Sequence, residues 1–325
     1  MKIKKLFKLV LFFIVVSAVI KLSTFGWRFS PDRPVVIADT KIQENLRRHV
    51  QVLAGDIGDR SVYNYDNLNR AADYILKELH GLGYAADFQV FQAEGKLVKN
   101  IVAIPLAAQS IDEHIVVGAH YDACANPGAD DNASAVAILL ETARLAICAP
   151  TKRAVKFVVF VNEEPPFFQT EQMGSLVYAR RAKKIKENIK TVVILESLGY
   201  YSNKPNSQQY PLFFGPFYPN RGDFAVVIGN LASRRLADDL AQALRKNQAV
   251  PIEEFVGPQW VNGVDFSDHW SFWQEGYPAV MLTDTAFLRN PHYHEPSDLP
   301  DTLNYTNMAQ IVLGLVEYLQ MTDDR

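Results

Sequence analysis

The chain has 325 residues, 48% of them hydrophobic and 21% charged, with a formal net charge of -3. That composition can fill a large core and excludes a disordered chain. The slight acid excess excludes a nucleic-acid partner, which would require a basic face.

In chain order, Lys2, Lys4, Lys5 and Lys8 precede an uncharged run of 12 residues from 9 to 20. A basic start before a short apolar run is the pattern of an export signal, so residues 1–29 are expected to be a signal or membrane anchor. A spanning helix wants about 20 apolar residues, and both retention as an anchor and cleavage fit that length. Either outcome places the rest of the chain outside the cytoplasm, tethered to the membrane by its N-terminal segment or released after cleavage. Residues 30–39 read as a linker and 40–325 as one catalytic domain.

Apolar spacing of three and four predicts helices over 40–54 and 67–82. In the second, Leu68, Ala71, Ala72, Ile75, Leu76 and Leu79 make one stripe. Strands are expected at 88–91, 100–104 and 115–119, then a helix at 133–147. The continuous apolar run 155–161 marks a strand buried on both faces. A helix at 173–186 carries Arg180, Arg181, Lys183, Lys184 and Lys186, which read as a solvated face. Strands at 191–195, 224–228 and 279–283 and helices at 232–245 and 306–320 complete the pattern. Strands alternating with helices predict an α/β fold: a single domain with a mostly parallel, mixed central sheet flanked by helices on both faces. Residues 201–221, rich in Pro, Asn, Ser and aromatics, form a long excursion of the kind that lines a cleft. The two cysteines, Cys124 and Cys148, bracket a helix that separates its ends by about 20 Å. A disulfide needs Cα atoms within about 7 Å, so two free thiols are expected.

The chemistry gathers at strand ends, where parallel sheets place their ligand sites. His120 closes the strand in Gly118-Ala119-His120-Tyr121-Asp122. Asp122 follows as a carboxylate able to fix the imidazole's tautomer. Asp130-Asp131-Asn132 opens the next helix. One acid is an ordinary cap, but two adjacent acids repel unless a cation lies between them. Glu163-Glu164 follows the buried strand, and such a pair can divide metal binding from proton transfer. Glu196 repeats the strand-end placement. In Asn290-Pro291-His292-Tyr293-His294-Glu295-Pro296 both His292 and His294 are candidates, as is His269. His49, His80 and His114 stand outside any cluster. Phe167, Phe168, Tyr200, Tyr201, Trp260 and Phe266 are candidates for an apolar side-chain pocket, with ordinary packing as the equal alternative.

Jointly these motifs resemble the co-catalytic zinc aminopeptidase family, of the aminopeptidase Y and bacterial leucyl aminopeptidase type. The matching pieces are Gly118 to Asp122, Pro127-Gly128-Ala129-Asp130-Asp131-Asn132-Ala133-Ser134, Asn162-Glu163-Glu164 with Gly174-Ser175, Leu195-Glu196-Ser197-Leu198-Gly199-Tyr200, and Tyr293-His294 with Asp298. The resemblance implies two zinc ions bridged by Asp131. His120 and Glu196 would complete one ion, Glu164 and His294 the other. It makes Glu163 the general base, Asp122 the residue that orients His120, and Tyr293 an oxyanion-stabilising hydroxyl. The implied substrate is a peptide with a free N-terminus. Many members carry Asp where Glu196 stands, and the longer arm alters the metal distance. Two other activities fit parts of the pattern: a glutaminyl cyclase-like zinc aminoacyltransferase, and a non-catalytic membrane-tethered relative. The tripeptide Arg221-Gly222-Asp223 reads as a turn.

Overall fold

A computed structural model describes residues 40–109, 111–147, 153–211, 214–246 and 250–321. The N-terminal segment, the linker and Cys148 lie outside the described residues, and among those described no helix is long and apolar enough to cross a membrane. Cys124 is a free thiol.

Helix α1 (Thr40–Val50) widens into a looser turn at Gln51–Ile57, and α2 (Tyr65–Gly81) follows. The predicted stripe of α2 is its buried face, with Leu68, Ala71, Ala72, Ile75 and Leu79 inside. Strands β1 (Tyr84–Ala93) and β2 (Lys96–Pro105) form a hairpin, then come β3 (Glu113–His120), α3 (Ala135–Ala146) and β4 (Ala154–Phe160). The chain continues through α4 (Gly174–Lys184), β5 (Asn188–Glu196), β6 (Ala225–Gly229), α5 (Arg234–Lys246) and β7 (Ile252–Val256). It ends with α6 (His269–Gln274), β8 (Ala279–Thr283) and α7 (Tyr305–Met321).

The strands join one eight-stranded sheet in the order β1-β2-β4-β3-β5-β8-β6-β7. The centre, β4-β3-β5-β8, is parallel throughout. β1 with β2, β2 with β4 and β6 with β8 pair antiparallel, while β7 runs parallel to β6, which makes the sheet mixed as expected. Successive strand residues point to opposite faces, and the two faces bury different cores. Ile115, Val117, Val193 and Leu195 pack with α1, α2, α3, α5 and α7. Val116, Val158, Val192 and Ile194 pack with Tyr178 of α4 and Phe272 of α6. Helices therefore cover both faces, which is why the central strands read as unbroken apolar runs.

Four elements differ from the sequence expectation. β1 and β2 each begin four residues before the short apolar cores 88–91 and 100–104 and end slightly beyond them. Their ladder continues from Tyr84↔Pro105 to Ala93↔Lys96, because backbone pairing does not require apolar side chains at an edge. β7 reads Ile-Glu-Glu-Phe-Val, an edge strand with only Ile252 fully buried, and its two glutamates mask it in sequence. α6 has six residues, too few to show a helical period. The excursion 201–221 is held by the bridge Ser202↔Gly222, by the Gln209 N–H on the Leu288 carbonyl and by Gln208 against Thr285 and Arg289.

Candidate metal centre

The parallel register brings the expected side chains to one edge. His120 lies beside Phe160 in the β3–β4 ladder and Glu196 beside Thr283 in the β5–β8 ladder. The carboxyl ends of four neighbouring strands thus finish level, and the loops beyond β3 and β4 close over them.

Asp131 is the centre of the cluster. Its Oδ1 lies 3.3 Å from His120 Nε2, and its Oδ2 lies 3.1 Å from His294 Nε2. Glu196 Oε2 is 3.2 Å from His120 Nε2, and Glu164 Oε2 is 3.3 Å from His294 Nε2. Glu163 stands slightly back, with Oε2 3.7 Å from His120 Nε2. One carboxylate therefore addresses two imidazoles, each with a further carboxylate of its own.

These atoms are close but not paired. His120 Nε2, Asp131 Oδ1, Glu164 Oε1 and His294 Nε2 are buried and have no hydrogen-bond partner. Unmade bonds of this kind are costly in a folded chain, and imidazole with carboxylate is a donor set that suits zinc. The residues present fit a bound cation pair.

Electrostatics agree. Burial pulls the His120 imidazolium down, but the Glu196 and Glu163 carboxylates win and hold it well above its ordinary value. Burial would raise Asp131, yet His120 and His294 hold it below the usual carboxylate range. Burial pushes Glu163 well above that range, and Glu164 up to about 8, with Asp131 adding repulsion. Without a cation this pocket carries more acid than it can ionise, and a bound cation reverses that logic.

The supports are as specific as the cluster. Asp122 accepts from the backbone N–H of Glu163 at 3.2 Å and of Glu164 at 3.1 Å. Its carboxylate is 3.6 Å from His120 Nδ1, while its backbone carbonyl is nearer, at 3.3 Å. Asp122 is thus first a brace for the Glu163–Glu164 turn. Asp298 does the same for the other loop, accepting from the N–H of Asp130 at 2.9 Å and of Asp131 at 3.2 Å. Asp130 faces away from the cluster and accepts from Gly199 N and Asn290 Nδ2. Ser267 Oγ donates to Glu196 Oε2 at 2.7 Å.

Among the imidazoles, only His120 and His294 reach the cluster. His292 turns to Ser297 Oγ at 2.9 Å, and His269 bonds the Val264 carbonyl at 2.7 Å. His49 is buried far along α1, His80 is exposed, and His114 is half-buried beside Glu187. The Tyr293 ring lies flat on His294, with centroids 3.9 Å apart. From there an aromatic row runs outward through Phe287, Phe266 and Phe168 at spacings of 6.0, 6.0 and 5.9 Å. Of the aromatics named from sequence, Phe168 and Phe266 join this row. Phe167 and Tyr201 pack on the core, Tyr200 lies edge-on to His292, and Trp260 is 79% exposed.

One support, Arg60, escaped the sequence reading. Arg60 is fully buried, and its guanidinium reaches the backbone carbonyls of Leu53, Gly58, Tyr121, Pro127 and Gly128 at 2.6 to 3.0 Å. It ties the loop after β3 to the turn before Asp131. Burial lowers it only to about 10, so it remains a cation beneath the acids. Gly128 makes that turn with φ +57, where a Cβ would lie 2.3 Å from the Asp131 carbonyl oxygen. Only glycine fits there. The sequence signal for Arg60 was a charged residue next to Gly58 and Asp59 between two helices, which composition reads as a loop.

Fold and pocket together bring acids and imidazoles to the carboxyl edge of an α/β sheet, a donor arrangement suited to a bound cation. The profile of peptidase family M28 matches residues 100–319, and the chain belongs to that family. An uncharacterized protein of Escherichia coli (strain K12), YfbL, is 40% identical over 286 residues, covering 85% of this chain and 87% of that protein. A probable leucine aminopeptidase of Arthroderma otae is 24% identical over 299 residues, 86% of this chain and 73% of that one. Among solved structures, Legionella LapA superposes with a TM-score of 0.70 at 21% identity, covering 87% of this chain and 74% of that chain. A Bacteroides thetaiotaomicron glutaminyl cyclase gives 0.64 at 16% identity, covering 86% and 97%. The two structures share the fold with this chain. The family and the aminopeptidase relatives agree with the motifs read from sequence.

Proposed function

We propose that this chain is a two-zinc aminopeptidase that removes N-terminal residues from peptides. The observation that carries the reading is Asp131, whose two oxygens lie 3.3 and 3.1 Å from two different imidazoles. A carboxylate serving one ion needs only one such neighbour. His120, Asp131 and Glu196 would hold the first ion, and Asp131, Glu164 and His294 the second. When bound, zinc supplies Lewis acidity and brings the pKa of water to about 7.

The chain's own residues do the rest. Glu163 takes the proton of the attacking water as its oxygen adds to the scissile carbonyl carbon. The carbon–nitrogen bond then breaks, and Glu163 returns that proton to the leaving amine. Asp122 keeps Glu163 and Glu164 in place through their backbone N–H groups. Tyr293, whose ring stacks on His294, would address the carbonyl oxygen through its hydroxyl. The acids of the pocket favour a substrate with a free, positively charged N-terminus, which selects exopeptidase cleavage. The row Phe168, Phe266, Phe287 and Tyr293 offers an apolar first side chain a wall, with Phe266 40% and Phe287 39% exposed. Residues 1–29 would export the domain, a reading supported by their sequence alone.

The test is metal analysis of purified protein with a panel of aminoacyl chromogenic amides, with and without chelator. About two zinc per chain and chelator-sensitive amide cleavage are expected; inactivity on every amide in the zinc-loaded state ends the reading. The second reading, a glutaminyl cyclase, is favoured by the shared fold of the Bacteroides enzyme. A glutamine-initiated peptide separates the two by product mass: loss of ammonia for a cyclase, release of free glutamine for an aminopeptidase.

A further inference from the structure

A thiol shares the space of the second cation position. Cys124 Sγ, a carboxylate oxygen of Glu164 and a ring nitrogen of His294 all lie within 4.8 Å of one another. Cys124 sits two residues past Asp122, on the loop after β3, half-buried and outside any disulfide. Opposite it, Glu164 is 5% exposed and its Oε1 has no hydrogen-bond partner. The other group, His120, Asp131 and Glu196, offers nitrogen and oxygen only. The centre is therefore chemically lopsided, with sulfur available on one side alone.

We propose that Cys124 is a thiolate ligand to the cation held by Asp131, Glu164 and His294, and that it makes this position selective for a thiophilic metal. The proposal rests on the two-zinc reading and adds a donor to it. On binding, the thiol proton leaves to solvent and a sulfur lone pair forms the metal–sulfur bond, with no change of oxidation state. Thiolate donors suit zinc and cobalt, whereas carboxylate, carbonyl and water suit manganese and magnesium. Residue 124 thereby separates the two positions: the one with sulfur discriminates against manganese, and the one without it discriminates less.

The chain has two cysteines, so Cys148→Ser leaves Cys124 as the sole thiol. Full-length Cys148→Ser protein, stripped with chelator and titrated with cobalt(II), should develop thiolate-to-cobalt charge-transfer absorption in the near ultraviolet. The double variants Cys148→Ser with Cys124→Ser or with Cys124→Ala should lack that band. Both should bind one of their two zinc ions roughly 10–100-fold more weakly, the size expected for changes around a metal site. A circular dichroism spectrum equal to the parent's shows that a variant is folded, and Cys124→Ala, which introduces no polar group, is the reserve if Cys124→Ser is not. A parent that binds two metal ions without the band overturns the thiolate ligand and leaves the two-zinc reading standing. A parent that binds no metal overturns both.

Discussion

Between α1, α2 and α3 lies a second buried polar cluster with the same kinds of residue as the metal centre. It holds His49 and Glu141, 2% and 1% exposed, with Asn45, Arg48, Tyr74, Glu78 and Arg144 around them. Here every partner is found. His49 Nδ1 meets Tyr74 Oη at 2.7 Å. Glu141 accepts from Asn45 Nδ2 at 3.0 Å and from the Arg144 guanidinium on both oxygens. At the metal centre, imidazole and carboxylate atoms stand equally close and yet four of them have no hydrogen bond. The same chemistry thus has two uses. A closed network fixes the packing of three helices; an open one is held by its supports in a geometry that fits an added ion.

The comparison breaks most easily at Glu163. Glu163→Gln keeps the shape of the pocket and removes the proton acceptor, so turnover should fall by about 10²–10⁴-fold. Zinc content, measured by elemental analysis, should stay at the parent level. A variant that retains turnover removes Glu163 from the chemistry; one that loses zinc makes it a ligand.

Glu141→Ala should do the reverse. It removes the buried carboxylate that accepts from Arg144 and Asn45, and losing a buried hydrogen-bond partner costs about 1–3 kcal/mol. Chemical denaturation should show that loss while zinc per folded chain and kcat hold. If Glu141→Ala strips zinc instead, the two clusters are not independent.

Removal of zinc sharpens the contrast from the other side. A ligand that binds only the folded chain stabilises it by about 3–4 kcal/mol at 100 to 1,000 times its dissociation constant. Chelator should therefore lower the unfolding midpoint of the parent and leave that of Asp131→Asn unmoved. A parent insensitive to chelator would mean that the open cluster holds no ion.

What the sequence disclosed follows the same division. His120 and Glu196 were legible because each ends an apolar run, and a parallel sheet brings such ends level. Asp131 and Glu163 were legible because adjacent acids need a reason. The choice between His292 and His294 was legible only through the family resemblance, since both sit in one Pro-bounded loop and the packing on Tyr200 and Ser297 turns His292 away. Arg60 escaped because its partners are backbone carbonyls, which carry no residue identity. β7 escaped because an edge strand is held by backbone pairing, and its two half-buried glutamates break the apolar run. Function-bearing side chains at strand ends leave a signature; backbone-directed supports do not.

The smallest effect expected is a pH dependence seated in the closed cluster. Burial lowers His49 from 6.5 to about 3, and the charges of Arg48 and Arg144 push the same way. Glu78 at 3.9 Å and Glu141 at 4.0 Å oppose this, but each is already engaged by an arginine. The folded protein thus keeps His49 neutral down to about pH 3, whereas the unfolded chain takes up its proton near pH 6.5. Stability from this group is complete above pH 6.5 and drains as pH falls toward 3, because the unfolded state then binds more protons. Between pH 7 and pH 5 the loss amounts to about 2 kcal/mol at a buried site such as this. The pocket's carboxylates titrate too, so the measurement is a difference: denaturation of zinc-loaded parent and His49→Gln across that range. The parent should lose more stability than the variant on acidification. Parallel curves would place a charged His49 in the folded protein, and the cluster would then be an ion-pair network instead of a neutral one.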